Sequence, residues 1–161
     1  MRKQVLWASA TLALVIAGCG TSPGTSSTGT ATACVNAGAS HRAYVVVEHL
    51  SGTSLQKCVG FGGDTIDGQT LMDQSGVKYQ TQTFSFGKGV CQIDNEPAQY
   101  SQCFPQNEPF WALFVETAGA WAVAQTGYTD VKLHDKEAMG WRYVAASDAA
   151  SPPAPPLAKE S

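Results

Sequence analysis

Apolar and polar positions divide the chain into four regimes. Behind Arg2 and Lys3, the stretch from Val5 to Gly18 is almost unbroken in its apolarity. Residues 20–33, GTSPGTSSTGTATA, carry no charge and no large apolar side chain. From residue 43 to about 144, short apolar runs alternate with turn residues. From Ala145 the chain becomes rich in Ala and Pro, with SPPAPP at 151–156. Segments with so little to bury do not order themselves. Residues 20–33 are therefore expected to form a flexible tether of roughly 20 Å, from about 5–6 Å × √n. Residues 145–161 are expected as a disordered or polyproline-like tail. What remains is a single folded domain over 34–144, long enough for one core and not for two.

Within that domain, AYVVVEHL (43–50) and SLQKCVGF (54–61), separated by Ser51-Gly52-Thr53, predict a β-hairpin. The stretch GQTLMDQSG (68–76) predicts the one helix, with Thr70 as its cap, Asp73 as capping-box partner and Gly76 as its end. YQTQTFSF (79–86) alternates as a strand does, and VCQID (90–94) adds another. FWALFVET (110–117) and AWAVAQTGY (120–128) flank Ala118-Gly119 as a second hairpin, and MGWRYV (139–144) closes the domain. One helix against five to seven strands predicts an α+β fold built on a small, mainly antiparallel sheet.

The first regime changes the picture of where the chain works. A basic n-region, an apolar h-region and the exit Ile16-Ala17-Gly18 are the parts of a signal segment, too short to span a bilayer, which takes about 20 residues. Its ending on Cys19 resembles the bacterial lipobox. Residues 1–18 are thus expected as a lipoprotein signal peptide, with Cys19 lipidated at the head of the 19–33 linker. The expected location is the extracytoplasmic face of the cell membrane, held by acyl chains at about 0.8 kcal/mol per buried CH₂. The other four cysteines, at 34, 58, 91 and 103, then fold in an oxidising compartment, where an even number favours disulfides. Cys91 and Cys103 flank a turn-rich segment and are expected to close a local loop, which leaves Cys34 for Cys58. No pair is spaced as C-x-x-C, so neither a zinc site nor a thioredoxin-like motif is expected.

Charge excludes one class of partner. The whole chain carries −3, and loss of Arg2 and Lys3 leaves eight basic against thirteen acidic residues, a net charge of −5. With no basic cluster, there is nothing to neutralise a phosphate backbone, so no nucleic-acid partner is expected. Catalysis is not expected either. His41, His49 and His134 occur without a Gly-x-Ser-x-Gly elbow, a His-Glu-x-x-His motif or a phosphate loop, and they read as surface histidines. Asp64, Asp67 and Asp73 are spaced wrongly for an EF-hand-like calcium loop, and no Glu closes it, so no metal is expected. The aromatic residues are more informative. Trp111, Trp121, Trp141 and Tyr143 gather late in the chain. Trp111 and Trp121 are expected on neighbouring strands, sharing one side and lining a partly open ligand surface, while Trp141 closes the core.

Taken in order, the VVV strand, KCVGF, T-x-L-x-D, VCQID followed by a turn and Cys103, FWALF, Gly-Ala-Trp and GWRY resemble the transcobalamin-like C-terminal domain family over residues 43–144. The resemblance implies a β-grasp-like domain with one helix on a sheet, and cobalamin or another corrinoid as ligand. In transcobalamin and intrinsic factor the related domain closes over cobalamin held by a larger helical domain. Residues 34–144 supply one half of such a clamp, so a corrinoid would be bound weakly or shared with a partner such as a transporter. The matching contact positions are Trp111, Trp121, Trp141 and Tyr143. Fold analogy alone does not carry function. The expectation is a membrane-anchored, non-enzymatic small-ligand-binding module; the alternative is a cell-surface interaction domain that docks a protein or wall polymer.

Overall fold

The structure, a computed structural model, describes residues 33–85 and 87–160. The expected signal peptide at 1–18, the lipidation site Cys19 and the linker as far as residue 32 lie outside the described residues. In chain order the elements are β1 (His41–Glu48), β2 (Ser54–Phe61), β3 (Ile66–Asp67), α1 (Gly68–Ser75), β4 (Tyr79–Phe84), β5 (Gly87–Ile93), β6 (Phe110–Thr117), β7 (Ala120–Val123), β8 (Lys132–Leu133) and β9 (Ala138–Val144), with a 3₁₀ turn at Ala146–Asp148.

Five strands form one sheet in the order β2-β1-β9-β6-β7. Its two hairpins follow from their turns. Gly52, at φ 83°, lets the chain reverse between β1 and β2, whose register runs from His41 opposite Phe61 to Glu48 opposite Ser54. Ala118 and Gly119 both have positive φ, 53° and 78°, the geometry that matches the twist of a two-residue hairpin between β6 and β7. The expected second strand of that hairpin stops at Val123, well short of residue 128. The hairpins meet through β9, which is antiparallel to β6 and parallel to β1, with Val45 opposite Met139. Every other pairing in the sheet is antiparallel. A parallel pair between the first and last strands, with a helix packed on one face, is the β-grasp-like α+β arrangement that was expected.

Side chains alternate across this sheet. Val45, Val47, Val59, Trp111, Met139, Trp141 and Tyr143 belong to the main core on one face, together with Leu71 and Met72 of α1. Tyr44, Cys58, Ala138, Ala112, Phe114 and Val144 lie in two smaller clusters on the other, both reached by Trp121.

The helix starts one turn earlier than its expected cap. Asp67, not Thr70, is the N-cap, and its carboxylate accepts the Thr70 backbone N–H at 2.8 Å and the Thr70 hydroxyl at 2.9 Å. Asp73 does not return to the helix start but accepts from the Tyr79 hydroxyl. An aspartate with extended backbone outcompetes a threonine already inside the first turn, because its short carboxylate reaches the unpaired N–H groups. Gly76 ends the helix at φ 75°, as expected.

Both expected disulfides are present. Cys34–Cys58 ties the N-terminal arm to β2, and Cys91–Cys103 closes the loop beyond β5. Among the described residues no helix is long and apolar enough to cross a membrane.

The segment expected as a disordered tail is the main departure. Beyond the 3₁₀ turn it folds back over β9. Arg142 donates to the Ala154 carbonyl at 2.6 Å, Pro155 is buried, and Ala158 N donates to Glu116 at 3.0 Å. Gln56 holds both the N–H and the carbonyl of Lys159, at 2.8 and 2.6 Å. The physical reason lies in its seat: the second face of the sheet is apolar, and this segment covers it with a chain short of large side chains of its own.

Candidate functional site

The main core continues at one edge into an open cleft of about 190 Å³, walled by Val90, Phe104, Trp111, Leu113, Tyr128 and Trp141. Four pieces of chain build it. Strand β6 presents Trp111 and Leu113, β9 presents Trp141, and the turn after β7 brings in Tyr128. The fourth piece is the β4–β5 ribbon with the Cys91–Cys103 loop, which carries Phe104 over Gly89. A Cβ at Gly89 would come within 2.5 Å of the Phe104 ring, so only glycine lets the ring lie there. Phe104 is 46% exposed and packs against Phe84 with ring centroids 5.2 Å apart.

The walls are rigid because their aromatic rings brace one another. Trp111 packs on Tyr143 at 4.9 Å, Tyr128 meets Trp141 edge-on at 6.1 Å, and Tyr79 meets Tyr128 at 6.1 Å. Such pairs add about 0.5–1.5 kcal/mol beyond their burial. Trp111 also donates its indole N–H to the Glu96 carbonyl at 2.9 Å. Glu96 in turn accepts from His49 at 2.5 Å, and the His49 ring stands edge-on to Trp111 at 5.8 Å. Tyr143 has its hydroxyl pKa pushed up by burial and then by the nearby Glu96 and Glu108 carboxylates, and burial does the same to Tyr128. Both phenols therefore stay neutral in ordinary solution, and of the residues lining the cleft only Lys88 carries a charge.

The four expected contact residues are divided by this geometry. Trp111 and Trp141 line the cleft, but as core residues only 6% and 4% exposed. Tyr143 is 8% exposed and lies behind Trp111, bordering a smaller pocket of about 50 Å³ with Tyr100 and Glu108. Trp121 is not on this side at all. It stands opposite Glu116 on β7, so it shares the second face with Phe114, and its ring meets Phe114 at 6.5 Å. The expectation that Trp111 and Trp121 share a side fails because residues on paired strands share a face through register, and Trp111 falls an odd number of positions from Glu116. Val90, Phe104 and Tyr128 were not anticipated. Each sits outside the strand carrying the tryptophans, so no periodicity connects them.

A second concavity is polar. It is an open groove of about 450 Å³ bordered by Asn36, Gly60, Thr65, Asp67, Thr70 and Gln74. Its carboxylate is already engaged in capping α1. Hydrogen bonding to the Thr70 backbone N–H, chiefly, holds the Asp67 carboxyl below its ordinary range. Each histidine has a carboxylate neighbour, His41 with Asp135 at 3.9 Å, His49 with Glu96, and His134 with Glu137 at 3.3 Å. Among the described residues, no three His, Cys, Asp or Glu side chains converge to hold a metal ion, and all four cysteines are disulfide-bonded.

No family model matches the chain, and no curated protein matches it. Among solved structures, the chain is similar to a protein of Ruminococcus gnavus ATCC 29149, provisionally described as metal binding, at 12% identity and a TM-score of 0.49. The match covers 65% of this chain and 97% of that one.

Proposed function

We propose that this domain is an extracytoplasmic binding module, anchored to the membrane through lipidated Cys19, that seats one apolar ring or branch of a small ligand in the aromatic cleft. The observation that carries this reading is the cleft itself. It has an aromatic wall braced from behind, a Phe104 rim left half in solvent and a single charged neighbour, Lys88. Concave, mostly apolar and pre-formed sites are where small ligands bind. The volume sets the ligand's size. Drug-sized ligands fill roughly 300–1,000 Å³, so about 190 Å³ takes one group and leaves the rest of the molecule across the mouth. A corrinoid bound here would present one edge to the cleft and depend on a partner, such as a transporter component, for the remainder. Nothing in this role asks for a nucleophile or a proton shuttle, and the reading is non-enzymatic.

The test is mass spectrometry of small molecules that copurify with the full chain, followed by titrating each back while following tryptophan fluorescence. Quenching should saturate, and Phe104→Ala should weaken it by about tenfold, a loss of about 1.4 kcal/mol, with the melting temperature little changed. Absence of any copurifying molecule, or quenching indifferent to Phe104→Ala, would overturn the reading. Anchoring is tested separately: Cys19→Ala should abolish labelling by a palmitate analogue.

A further inference from the structure

The second face of the sheet is built as a trough. Down its middle, β9 presents Ala138 and Gly140, flanked by Cys58 and Tyr44 on one side and by Ala112, Phe114 and Trp121 on the other. Gly140 has no room for a side chain, because a Cβ there would come within 2.7 Å of Pro155 and 2.8 Å of the Trp121 ring. A proline ring thus rests on a glycine, beside an indole.

What lies in it is held in an unusual way. The segment forms no ladder with any strand among the described residues. Instead, Arg142, Glu116 and Gln56 reach up and grip its main chain at Ala154, Ala158 and Lys159. Of its side chains, Pro155 is buried, while Pro156 and Leu157 face solvent, Leu157 at 51% exposure. Ala158 also packs on Tyr44, Cys58 and Ala138, and Glu160 pairs with Lys136 at 3.2 Å in an exposed contact. The grip is otherwise on the main chain and one buried proline, which is recognition chiefly of a conformation. It suits any extended polyproline-like segment with a proline at the right place, since such a chain is already stiff and its carbonyls point outward. The resident segment is also an imperfect occupant. Trp121 Nε1 is buried and finds no acceptor among the described residues. An unsatisfied buried donor is costly, so this face is not fully satisfied with the resident segment in place.

We propose that this face is a binding site for proline-rich extended peptide segments of a partner protein, and that residues 151–160 occupy it in cis as a displaceable latch. The site lies on the opposite side of the sheet from the aromatic cleft and stands whether or not that cleft binds a small molecule. The tether makes the latch a strong competitor, because a short covalent link holds its local concentration near the millimolar range. Weak affinity of the segment in trans is therefore enough to keep the trough closed, and a partner segment opens it by binding there more tightly.

The experiment uses the full chain and a fluorescently labelled peptide of sequence SPPAPPLAKE. Pro155→Asp places a charge against Gly140 and beside the Trp121 ring and should eject the resident segment without touching the sheet. The labelled peptide should bind Pro155→Asp at least about tenfold more tightly than wild type, a gain of about 1.4 kcal/mol. Adding Gln56→Ala or Trp121→Ala to Pro155→Asp should remove that binding, with circular dichroism confirming that each variant is folded. A peptide with its prolines replaced by glycine should not bind. Equal binding to wild type and Pro155→Asp, no binding to either, or equal capture of the glycine peptide would overturn the proposal. Concentration-dependent dimerisation of the wild type that Pro155→Asp abolishes would overturn it in favour of segments exchanged between two copies.

Discussion

The two faces of the five-stranded sheet use the same strands and bury themselves by different means. On the helix face, large side chains from both hairpins interdigitate with Leu71 and Met72, and Trp141 and Met139 of β9 sit at the centre. On the opposite face β9 offers Ala138 and Gly140, and the cover is a strip of main chain gripped by three polar side chains. One face is held by packing, the other by a strap laid over small residues. A packed face resists change everywhere, because its voids cannot be refilled. A strapped face can open without unfolding the domain. Rigidity for a pre-formed cleft and access for a peptide are thus separated to opposite sides of one sheet.

The largest expected effect separates the two tryptophans that belong to these faces. Trp141→Ala removes a core ring and should cost about 3–5 kcal/mol, a large share of a total stability of about 5–15 kcal/mol. Trp121→Ala empties a site beneath the strap and should cost clearly less, its loss appearing mainly as faster amide exchange around residues 154–159. Urea unfolding of the two variants measures the contrast. Equal losses would mean that the strapped face is as tightly built as the packed one.

Next come the crosslinks, which also sit asymmetrically. Cys34–Cys58 belongs to the strapped face and spans 24 residues, whereas Cys91–Cys103 spans 12 and supports the ribbon beside the cleft. Loop-closure entropy gives about 3.5 kcal/mol for the first and about 3 kcal/mol for the second. Replacing each pair by serine should lower the urea midpoint in that order. Loss of Cys91–Cys103 should in addition weaken ligand binding in the cleft, since Phe104 adjoins Cys103. An unaffected cleft would show that Phe104 is positioned by Phe84 and Gly89 without the crosslink.

The smallest effect concerns the helix that covers the packed face. Asp67→Ala removes its N-cap and should cost about 1 kcal/mol near neutral pH. The pH dependence has a definite sign. The carboxyl titrates lower in the folded chain than its ordinary value of 3.8. Its stabilisation is therefore fully present above that value and is lost as pH falls through the lower folded-state pKa. The stability difference between wild type and Asp67→Ala should accordingly shrink in strong acid. Asp67→Asn keeps a capping oxygen and should retain most of the stability without that pH dependence. A difference that persists unchanged in acid would assign the effect to packing.

Much of this architecture was written locally in the chain. The turn at Ser51-Gly52-Thr53, the tight reversal at Ala118-Gly119 and the αL glycine at 76 place hairpins and a helix end by backbone sterics alone. Four cysteines, two of them enclosing a turn-rich loop, were enough to pair correctly. The unbroken run Tyr44-Val45-Val46-Val47 also carried a signal that the strand is buried on both faces, for a strand open to water on one side would alternate. What covers the second face was not legible. A run of Ala and Pro has too little apolar surface to order itself, and it becomes ordered only where a trough and three hydrogen-bonding side chains, distant in sequence, already wait for it.

The candidate cleft shows the same division. That Trp111 and Trp141 are apolar anchors follows from their own strands, but that Trp121 faces away from them follows from register between strands, which no single strand contains. Phe104 and Tyr128 reach the cleft through a disulfide-closed loop and a turn, and their positions depend on what those loops pack against. The sequence determined the two hairpins, the end of the helix and each crosslink because turns, αL glycines and cysteine pairs act over short chain distances. Tertiary structure alone decided which residues share a face, where the cleft opens and what the proline-rich segment covers. Each of these depends on contacts between residues brought together only when the parallel pairing of β1 with β9 joins the two hairpins.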